Sequence, residues 1–496
     1  TGKPGVYLTV SAPGFLNGLP PLLEATQNGY PVIMIGGSST RDIVDMDQGD
    51  YEGLDQMNYA KDFAKFSLRV DKIEDIPAAV ARAMHYACSG RPGGVYIDFP
   101  GETMGQTMDK DEALANLWVA NQPKAIMPPA QSSIDAALDL LATAKNPLML
   151  VGKGAALAQA EDELQAFVKA TDIPYQPMSM AKGLIPDDDP HSTASCRGLA
   201  LRTADVVLLV GARLNWMLNF GKGKEWNPNV KFIQLEIDPN EIENSRPIEV
   251  PVVGDLKIAM QMLNDGLAKK PFKASQEWLD LLHADTEKND AKFAAKLNAD
   301  TVPMTHFNSL GAIKKVYDKN PDVIICNEGA NALDDCRNII DIYKPRHRLD
   351  CGTWGVMGCG TGYAIGSAIA TGKKVLYIGG DSAFGFDGME VETACRFHLP
   401  ITFVVLNNGG IYRGDFENIN TTDPRIKDDP SPLTLSYDCH YEKMIEAFGG
   451  KGYYATTPAE VEQMVGEAIA SGEPSFVHVQ LDISAGLESG HIGNLN

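Results

Sequence analysis

The chain repeats a unit in which a short apolar run is followed by a Gly, Asp or Asn turn and then by a segment with helical spacing. Strands that are apolar on both faces and alternate with helices are typical of parallel sheets covered on both sides. The pattern predicts an α/β protein whose ligands bind beyond the carboxyl ends of the strands. The runs are Val32–Ile35, Val95–Phe99, Pro147–Val151, Asp205–Val210, Phe232–Ile237, Val323–Cys326, Val375–Ile378 and Ile401–Leu406.

Two polar stretches divide the chain. Residues 122–133 are rich in proline, and residues 266–307 are polar and helical in pattern before they become irregular. They predict a first domain over 1–120, a middle domain over 133–265 and a last domain over 305–496. Three domains suit a chain of 496 residues, since one domain usually takes about 100–200 residues.

Composition narrows the classes of partner. A net charge of −22 argues against nucleic acid and anionic membranes, although a local basic pocket still allows an anionic small substrate. The eight cysteines include no C-x-x-C pair, which fits free thiols in a reducing cytoplasm. The apolar runs are too short to span a bilayer. We therefore expect a cytoplasmic protein that binds neither nucleic acid nor membranes.

Two predicted strands of the last domain end in polar motifs. One strand ends in G-G-D-S (379–382) and the other in N-N-G-G (407–410). Asp381, the Asn408 amide and a backbone carbonyl near Gly410 are oxygen ligands of the kind Mg²⁺ prefers. The Ser382 hydroxyl and nearby N–H groups, where a helix begins, form an anion site. Each motif alone is more typical of a turn, but together they predict a diphosphate held through Mg²⁺.

A glycine-rich stretch over Gly352–Gly366 also begins a helix. It follows the polar sequence PRHRLDC, in which we find no clear strand. The dinucleotide fingerprint needs a strand before the glycines and an acidic residue after them. The sequence therefore makes a dehydrogenase the weakest option.

Longer motifs cover nearly the whole chain and together resemble the oxalyl-CoA decarboxylase family of thiamine-diphosphate-dependent enzymes. The resemblance implies three doubly wound parallel-sheet domains, thiamine diphosphate and Mg²⁺ as cofactors, and conversion of the CoA thioester oxalyl-CoA to formyl-CoA and CO₂ in oxalate catabolism. It also implies a homodimer or homotetramer with the cofactor at the subunit interface. The motifs include GDYEGLDQM (49–57), SGRPGGVYIDFP (89–100), NEGANALD (327–334), GTWGVMG (352–358), NNGGIY (407–412) and AGLESG (485–490).

The resemblance assigns cofactor contacts residue by residue. The Gly355 carbonyl is implied to hold the aminopyrimidine, and Met357 to wedge under the bent cofactor, although ordinary core packing is the alternative for Met357. The implied metal ligands are Asp381, Asn408 and Gly410. The other implied cofactor contacts are Ser382, Ala383 and Ile411.

Four residues are implied to act near the substrate. Tyr51 and Glu52 would line the pocket, Tyr412 would lie over the thiazolium and orient the oxalyl group or a water, and Ser489 would close over the intermediate. The alternatives are a solvated acidic loop for Tyr51 and Glu52, packing for Tyr412 and terminal disorder for Ser489.

The middle domain is similar to a nucleotide-binding module, and the family implies ADP there. Arg213, Asp238 and Asp255 stand at strand ends, where an arginine can bind a phosphate and an acid a ribose. The alternative is that these residues terminate strands and cap helices.

The sequence departs from the family in two places. Residue 1 is Thr and Gly5–Val10 already has a strand pattern, so we expect the first domain to lack its N-terminal part. The glutamate that activates the cofactor would lie upstream, Glu24 is not a candidate for it, and we expect the chain as it stands to be impaired. His491 stands where the family is expected to have Arg, which weakens a CoA contact there.

Two other functions remain open from the sequence. One is a 2-hydroxyacyl-CoA lyase or another thiamine carboligase, because substrate choice is a difference of affinities. The other is a catalytically silent protein that binds a nucleotide or CoA.

Overall fold

Three parallel sheets are the framework of the protein in a computed structural model that describes residues 2–118, 126–411, 432–483 and 485. The pairs formed by these strands are all parallel, which confirms the α/β prediction. The strands are β1 (Gly5–Thr9), β2 (Val32–Ser38), β3 (Phe66–Arg69), β4 (Gly94–Pro100), β5 (Pro147–Val151), β6 (Tyr175–Pro177), β7 (Val206–Val210), β8 (Lys231–Glu236), β9 (Val250–Val253), β10 (Ile324–Asn327), β11 (Arg348–Asp350), β12 (Val375–Gly380), β13 (Ile401–Asn407), β14 (Lys451–Ala455) and β15 (Ser475–Gln480).

Helices connect the strands, as parallel pairing requires. They are α1 (Pro13–Asn28), α2 (Arg41–Val44), α3 (Gln56–Ala60), α4 (Ile76–Cys88), α5 (Gly101–Met104), α6 (Lys110–Ala115), α7 (Gln131–Ala142), α8 (Lys153–Ala158), α9 (Glu161–Thr171), α10 (Arg197–Thr203), α11 (Leu256–Gly266), α12 (Gln276–Leu297), α13 (His306–Tyr317), α14 (Asn331–Ile339), α15 (Cys359–Thr371), α16 (Asp381–Asp387), α17 (Glu390–Arg396), α18 (Glu442–Ala447) and α19 (Pro458–Ser471).

The strand orders are β1-β2-β4-β3 in the first sheet, β6-β5-β7-β8-β9 in the second and β11-β10-β12-β13-β15-β14 in the third. In the third sheet β12 and β13 are neighbours, and Gly380 is opposite Leu406. The two polar motifs therefore follow adjacent strands at one edge, as the sequence predicts.

The chain forms two compact units. The first contains the residues up to Met127 together with Thr353–Val356, and the second contains Pro128–Gly352 and the residues from Met357 onward. The second and third sheets thus belong to one unit. The three predicted domain boundaries stay a prediction.

Alternate residues of β12 pack on opposite faces of the third sheet. Leu376 and Ile378 join a core cluster with α13 and α19, whereas Val375 and Tyr377 join a cluster with α15 and α17. Side chains alternate between the faces of a strand, so a strand buried on both faces has a continuous apolar run. This explains the pattern from which the strand was predicted.

A fully buried arginine, Arg348, lies in β11, where no clear strand was predicted from the sequence. The Arg348 guanidinium donates to Ser179 Oγ from Nε at 3.1 Å and to Asn327 Oδ1 from Nη2 at 2.7 Å. Its Nε is also 3.5 Å from Asp350 Oδ2. The prediction that PRHRLDC contains no clear strand was wrong, because Ser179 and Asn327, which accept from Arg348, come from distant parts of the chain.

Arg348→Met is expected to lower the free energy of unfolding by about 3–5 kcal/mol, because it leaves the Asp350 carboxylate buried without its cation. Urea unfolding measures the change. The matched control is Arg346→Met, whose ion pair with Glu161 is partly exposed and is expected to contribute less than about 1 kcal/mol. Equal losses in the two variants would contradict a special role for the buried arginine.

Candidate active site

Asp381 is the residue around which the end of β12 and the loop after β13 meet. Its side chain is buried, and its Oδ2 accepts hydrogen bonds from the Gly409 N–H at 2.9 Å and the Gly410 N–H at 3.0 Å. The other oxygen, Oδ1, accepts from the Ser382 N–H at 2.7 Å. One carboxylate therefore binds the start of α16 to the loop that carries Asn408.

The Asn408 side chain is also buried and has a fixed orientation. Its amide nitrogen donates to the Ala485 carbonyl at 2.8 Å, so its amide oxygen is the end that can act as a metal ligand. The following backbone is held by the Ile411 N–H, which donates to the Leu433 carbonyl at 2.9 Å.

The Asp381 carboxylate is buried, which disfavours its charged form. Burial raises its pKa to about 6, although the N–H groups of Ser382, Gly409 and Gly410 act in the opposite direction. Among the described residues no Lys, Arg or His forms an ion pair with Asp381. A buried carboxylate without a cation is costly, and a bound divalent cation would remove that cost.

A small cavity lies at this edge of the sheet. The side of Gly380 where a Cβ would stand is open space, and a Cβ on Gly329, which has φ +97°, would lie 3.2 Å from the Gly380 nitrogen. Bare backbone therefore faces the cavity and leaves room for an anion. The predicted cofactor contacts that line it are Met357, Asp381, Ser382, Ala383, Asn408, Gly410 and Ile411.

Met357 is held in place by a buried glutamate. The N–H of the Met357–Gly358 peptide donates to Glu328 Oε2 at 2.7 Å, and Tyr377 Oη donates to Glu328 Oε1 at 2.6 Å. Burial raises the pKa of Glu328 to about 7. The predicted Gly355 belongs to the first unit, in which the neighbouring Thr353 N–H donates to Asn28 Oδ1 at 3.2 Å.

The Tyr51–Glu52 loop folds onto its own unit. The Ser39 hydroxyl is 2.9 Å from the Tyr51 carbonyl, and the Ser11 hydroxyl donates to Glu52 Oε2. Tyr51 is 83% exposed. Tyr412, Ser489 and His491 lie outside the described residues, so their roles stay predictions.

The predicted nucleotide residues have local partners. Asp238 accepts from the Asn240 N–H and caps a 3₁₀ helix over Pro239–Glu241, while Asp255 accepts from the Ile258 N–H and caps α11. Arg213 Nη1 lies 3.1 Å from Glu241 Oε1 beside a cavity. The acids thus act as caps, and the assignment of ADP stays a prediction.

Comparison with known proteins identifies the family. The model of the thiamine pyrophosphate enzyme central domain matches residues 134–263, that of the C-terminal TPP binding domain matches 333–479, and that of the N-terminal TPP binding domain matches 1–59. Oxalyl-CoA decarboxylase of Escherichia coli K12 is 51% identical over 496 residues, which is 100% of this chain and 87% of that protein. The chain belongs to the oxalyl-CoA decarboxylase family of thiamine pyrophosphate enzymes.

Relatives of this decarboxylase family include 2-hydroxyacyl-CoA lyases. The lyase of Arabidopsis thaliana is 40% identical over 100% of this chain and 88% of its own length. 2-Hydroxyacyl-CoA lyase 1 of Homo sapiens is 34% identical over 98% of this chain and 85% of its own length. The match to the decarboxylase is therefore stronger than the match to either lyase.

The residues that follow β12 and β13 fit the Mg²⁺-bound diphosphate expected in a thiamine pyrophosphate enzyme. Asp381, the Asn408 amide oxygen and a backbone carbonyl at Gly410 are hard oxygen ligands. Among the described residues there is no cluster of three or more His, Cys, Asp or Glu side chains that could hold a metal. A Mg²⁺ site with one carboxylate would not form such a cluster, because its phosphate and water ligands come from outside the chain.

Two residues in or behind the site were not predicted from the sequence. Glu328 lies in the quoted NEGANALD motif, but nothing marked it as buried. His478 lies in the apolar run of β15 and contacts Asn407, the first Asn of the NN pair, at 3.0 Å. A His between two apolar residues of a strand was the one available signal.

Proposed function

We propose that the chain catalyses thiamine-diphosphate-dependent decarboxylation of oxalyl-CoA to formyl-CoA and CO₂. The observation that carries the proposal is the buried Asp381 carboxylate, which pairs with no cation among the described residues and lines a cavity with Asn408 and Gly410. The 51% identity with an oxalyl-CoA decarboxylase over the whole chain supports the substrate.

Residues of the chain would hold, orient and shield the cofactor. Thiamine diphosphate, when bound, supplies an electron sink for the carbanion that loss of CO₂ leaves. Asp381, Asn408 and Gly410 would hold Mg²⁺, and Ser382 would donate to the diphosphate. Met357, fixed by Glu328, would support the ring system from below.

A second cavity supports a CoA thioester as substrate. It is lined by Arg197 and Arg337, two guanidinium groups in a protein with a net charge of −22. The pKa of Arg197 is lowered to about 10, mainly by burial and to a smaller extent by the positive charge of Arg337. We infer that these two guanidinium groups, of which Arg337 is also paired with Asp334, would bind a phosphate of CoA.

Arg337→Gln is expected to raise KM for the acyl-CoA about tenfold and to leave thiamine diphosphate affinity unchanged, because one charge-assisted bond contributes about 1.5–3 kcal/mol. Glutamine keeps a donor for Asp334, which Arg337 contacts at 2.6 Å. The control is Arg202→Gln in α10, an exposed cation outside the lining of this cavity. Unchanged KM in the Arg337 variant would remove this cavity from the substrate site.

We also propose a homo-oligomer. Large apolar side chains are exposed on and beside α15, α16 and α17, and such clustered exposure marks an interaction surface. A second copy of the chain is the partner we propose. The residues are Ile369, Phe386, Met389 and Phe397.

The proposal extends to location and nucleotide binding. Among the described residues none of the helices has both the length and the apolarity to cross a membrane. All eight cysteines are free thiols, which supports the cytoplasm as compartment. ADP at the Arg213 cavity remains part of the proposal, with Arg246 as a second cation in its lining.

The alternative is a 2-hydroxyacyl-CoA lyase, which the 40% identical Arabidopsis thaliana protein favours. Oxalyl-CoA and a 2-hydroxyacyl-CoA, given separately with thiamine diphosphate and Mg²⁺, distinguish the two by mass spectrometry of the products. We expect formyl-CoA from oxalyl-CoA, and cleavage of the 2-hydroxyacyl-CoA alone would overturn the proposal.

A further inference from the structure

A buried chain of three polar side chains lies behind the metal-binding loop. His478 in β15 is wholly buried, and its Nδ1 is 3.0 Å from Glu442 Oε2, while its Nε2 is 3.0 Å from Asn407 Nδ2. Asn407 and Glu442 are buried as well. Apart from its link to the loop through Asn407, this cluster takes no part in the function proposed above.

Backbone groups fix the orientation of the Asn407 amide. Its nitrogen donates to the Tyr437 carbonyl at 3.1 Å, and its oxygen accepts from the Gly409 N–H at 2.9 Å. Since a carbonyl only accepts and an N–H only donates, the amide nitrogen must be the atom that faces His478.

The orientation of Asn407 determines the tautomer of His478. An amide nitrogen only donates, so Nε2 must be the accepting nitrogen of the imidazole. The proton is then on Nδ1, which faces the Glu442 carboxylate. Each bond in the series from Glu442 to Gly409 therefore has one donor and one acceptor.

The series ends at the metal-binding loop. The Gly409 N–H, which donates to Asn407 Oδ1, also donates to Asp381 Oδ2 at 2.9 Å. Gly409 lies between the two proposed ligands Asn408 and Gly410. A shift of Asn407 would move the backbone on which both ligands stand.

We propose that Glu442, His478 and Asn407 form a positioning relay that sets the geometry of the Mg²⁺ loop. The inference rests on the metal site proposed above and not on the identity of the acyl-CoA. Partners behind metal ligands typically change metal affinity by about 10–100-fold when they are lost.

Two substitutions of one residue separate positioning from packing. His478→Gln places an amide oxygen near the position of Nε2 and keeps an acceptor for Asn407. His478→Asn reaches only the position of Nδ1 and loses that acceptor. Mn²⁺ is the probe, and its binding with thiamine diphosphate is followed by the loss of the free-ion electron paramagnetic resonance signal, with no acyl-CoA present.

We expect His478→Asn to weaken Mn²⁺ binding by about 10–100-fold and His478→Gln to restore it to within about threefold of wild type. The control is His440→Asn, a more exposed histidine that contacts the other oxygen of Glu442 at 2.8 Å and is expected to bind as wild type.

Glu442→Met tests the relay from its other end and is expected to weaken Mn²⁺ binding about tenfold. Glu442→Met still tests the relay if His478→Asn does not fold. Wild-type affinity in the variants that lose a relay bond, or equal weakening by His478→Asn and His478→Gln, would overturn the relay. A wild-type protein that binds Mn²⁺ and follows this pattern but makes no formyl-CoA would contradict the proposed substrate alone.

Discussion

Asp381→Asn is expected to lower kcat by about a thousandfold or more while the protein keeps nearly its wild-type stability. The variant removes the only side-chain carboxylate among the proposed Mg²⁺ ligands, and loss of metal-assisted charge stabilisation of about 4 kcal/mol corresponds to this factor. Turnover of oxalyl-CoA at saturating thiamine diphosphate and Mg²⁺ measures the effect.

Stability is nearly conserved because two effects oppose each other. The raised pKa of Asp381, about 6 against an ordinary 3.8, means that the charged carboxylate costs roughly 3 kcal/mol above pH 6. The neutral amide avoids this cost but turns an NH₂ group toward a backbone donor, at about 1–3 kcal/mol. We therefore expect the free energy of unfolding to change by less than about 2 kcal/mol.

The matched control is Asp387→Asn in the same helix, an exposed carboxylate that does not line the cavity. It is expected to keep most of the activity. A variant of Asp381 that stays folded and keeps full turnover would contradict the assignment of the carboxylate as a metal ligand.

Glu328→Ala is expected to weaken thiamine diphosphate binding and to destabilise the protein, whereas Glu328→Gln is expected to keep both properties close to wild type. Alanine leaves the Gly358 N–H and the Tyr377 hydroxyl without their acceptor, and each unsatisfied buried group costs about 1–3 kcal/mol. The peptide that carries Met357 then loses its anchor. Glutamine keeps an oxygen for Gly358 and an amide for Tyr377.

The two variants also differ in how stability depends on pH. The pKa of Glu328 is raised by burial from 4.5 to about 7, so the folded state keeps a proton that the unfolded state releases. The free energy of unfolding therefore decreases as pH rises from about 4.5 to 7, by about 3 kcal/mol in total, and stays low above pH 7.

Urea unfolding of wild type and Glu328→Gln at pH 5 and pH 8 measures this difference. The variant is expected to become more stable relative to wild type at pH 8, because it has no carboxyl group to ionise. Parallel pH profiles in the two proteins would mean that Glu328 is not the group that titrates, and tight cofactor binding by Glu328→Ala would remove its role in holding Met357.

The sequence predicted the position in the fold of those residues whose signal is local. Asp381 and Asn408 follow apolar runs that are long enough to mark strands, and the parallel sheet places the ends of adjacent strands together. The same reasoning explains why Ser382 was placed correctly at the beginning of a helix.

Residues whose role depends on distant partners were not predicted. Arg348 made β11 look like a polar loop, because nothing local shows that Ser179 and Asn327 satisfy its guanidinium. Glu328 and His478 were missed for the same reason. A buried polar residue is stable only with its partners, and those partners are known only from the fold.

The proposed decarboxylation is best tested by product analysis of ¹³C-labelled oxalyl-CoA with wild type and Asp381→Asn. Wild type is expected to release one ¹³CO₂ for each ¹³C-formyl-CoA, only when thiamine diphosphate and Mg²⁺ are both present, and Asp381→Asn is expected to release almost none. If wild type binds the cofactor and the metal but forms no formyl-CoA, or if it forms formyl-CoA equally well without thiamine diphosphate, the account is contradicted.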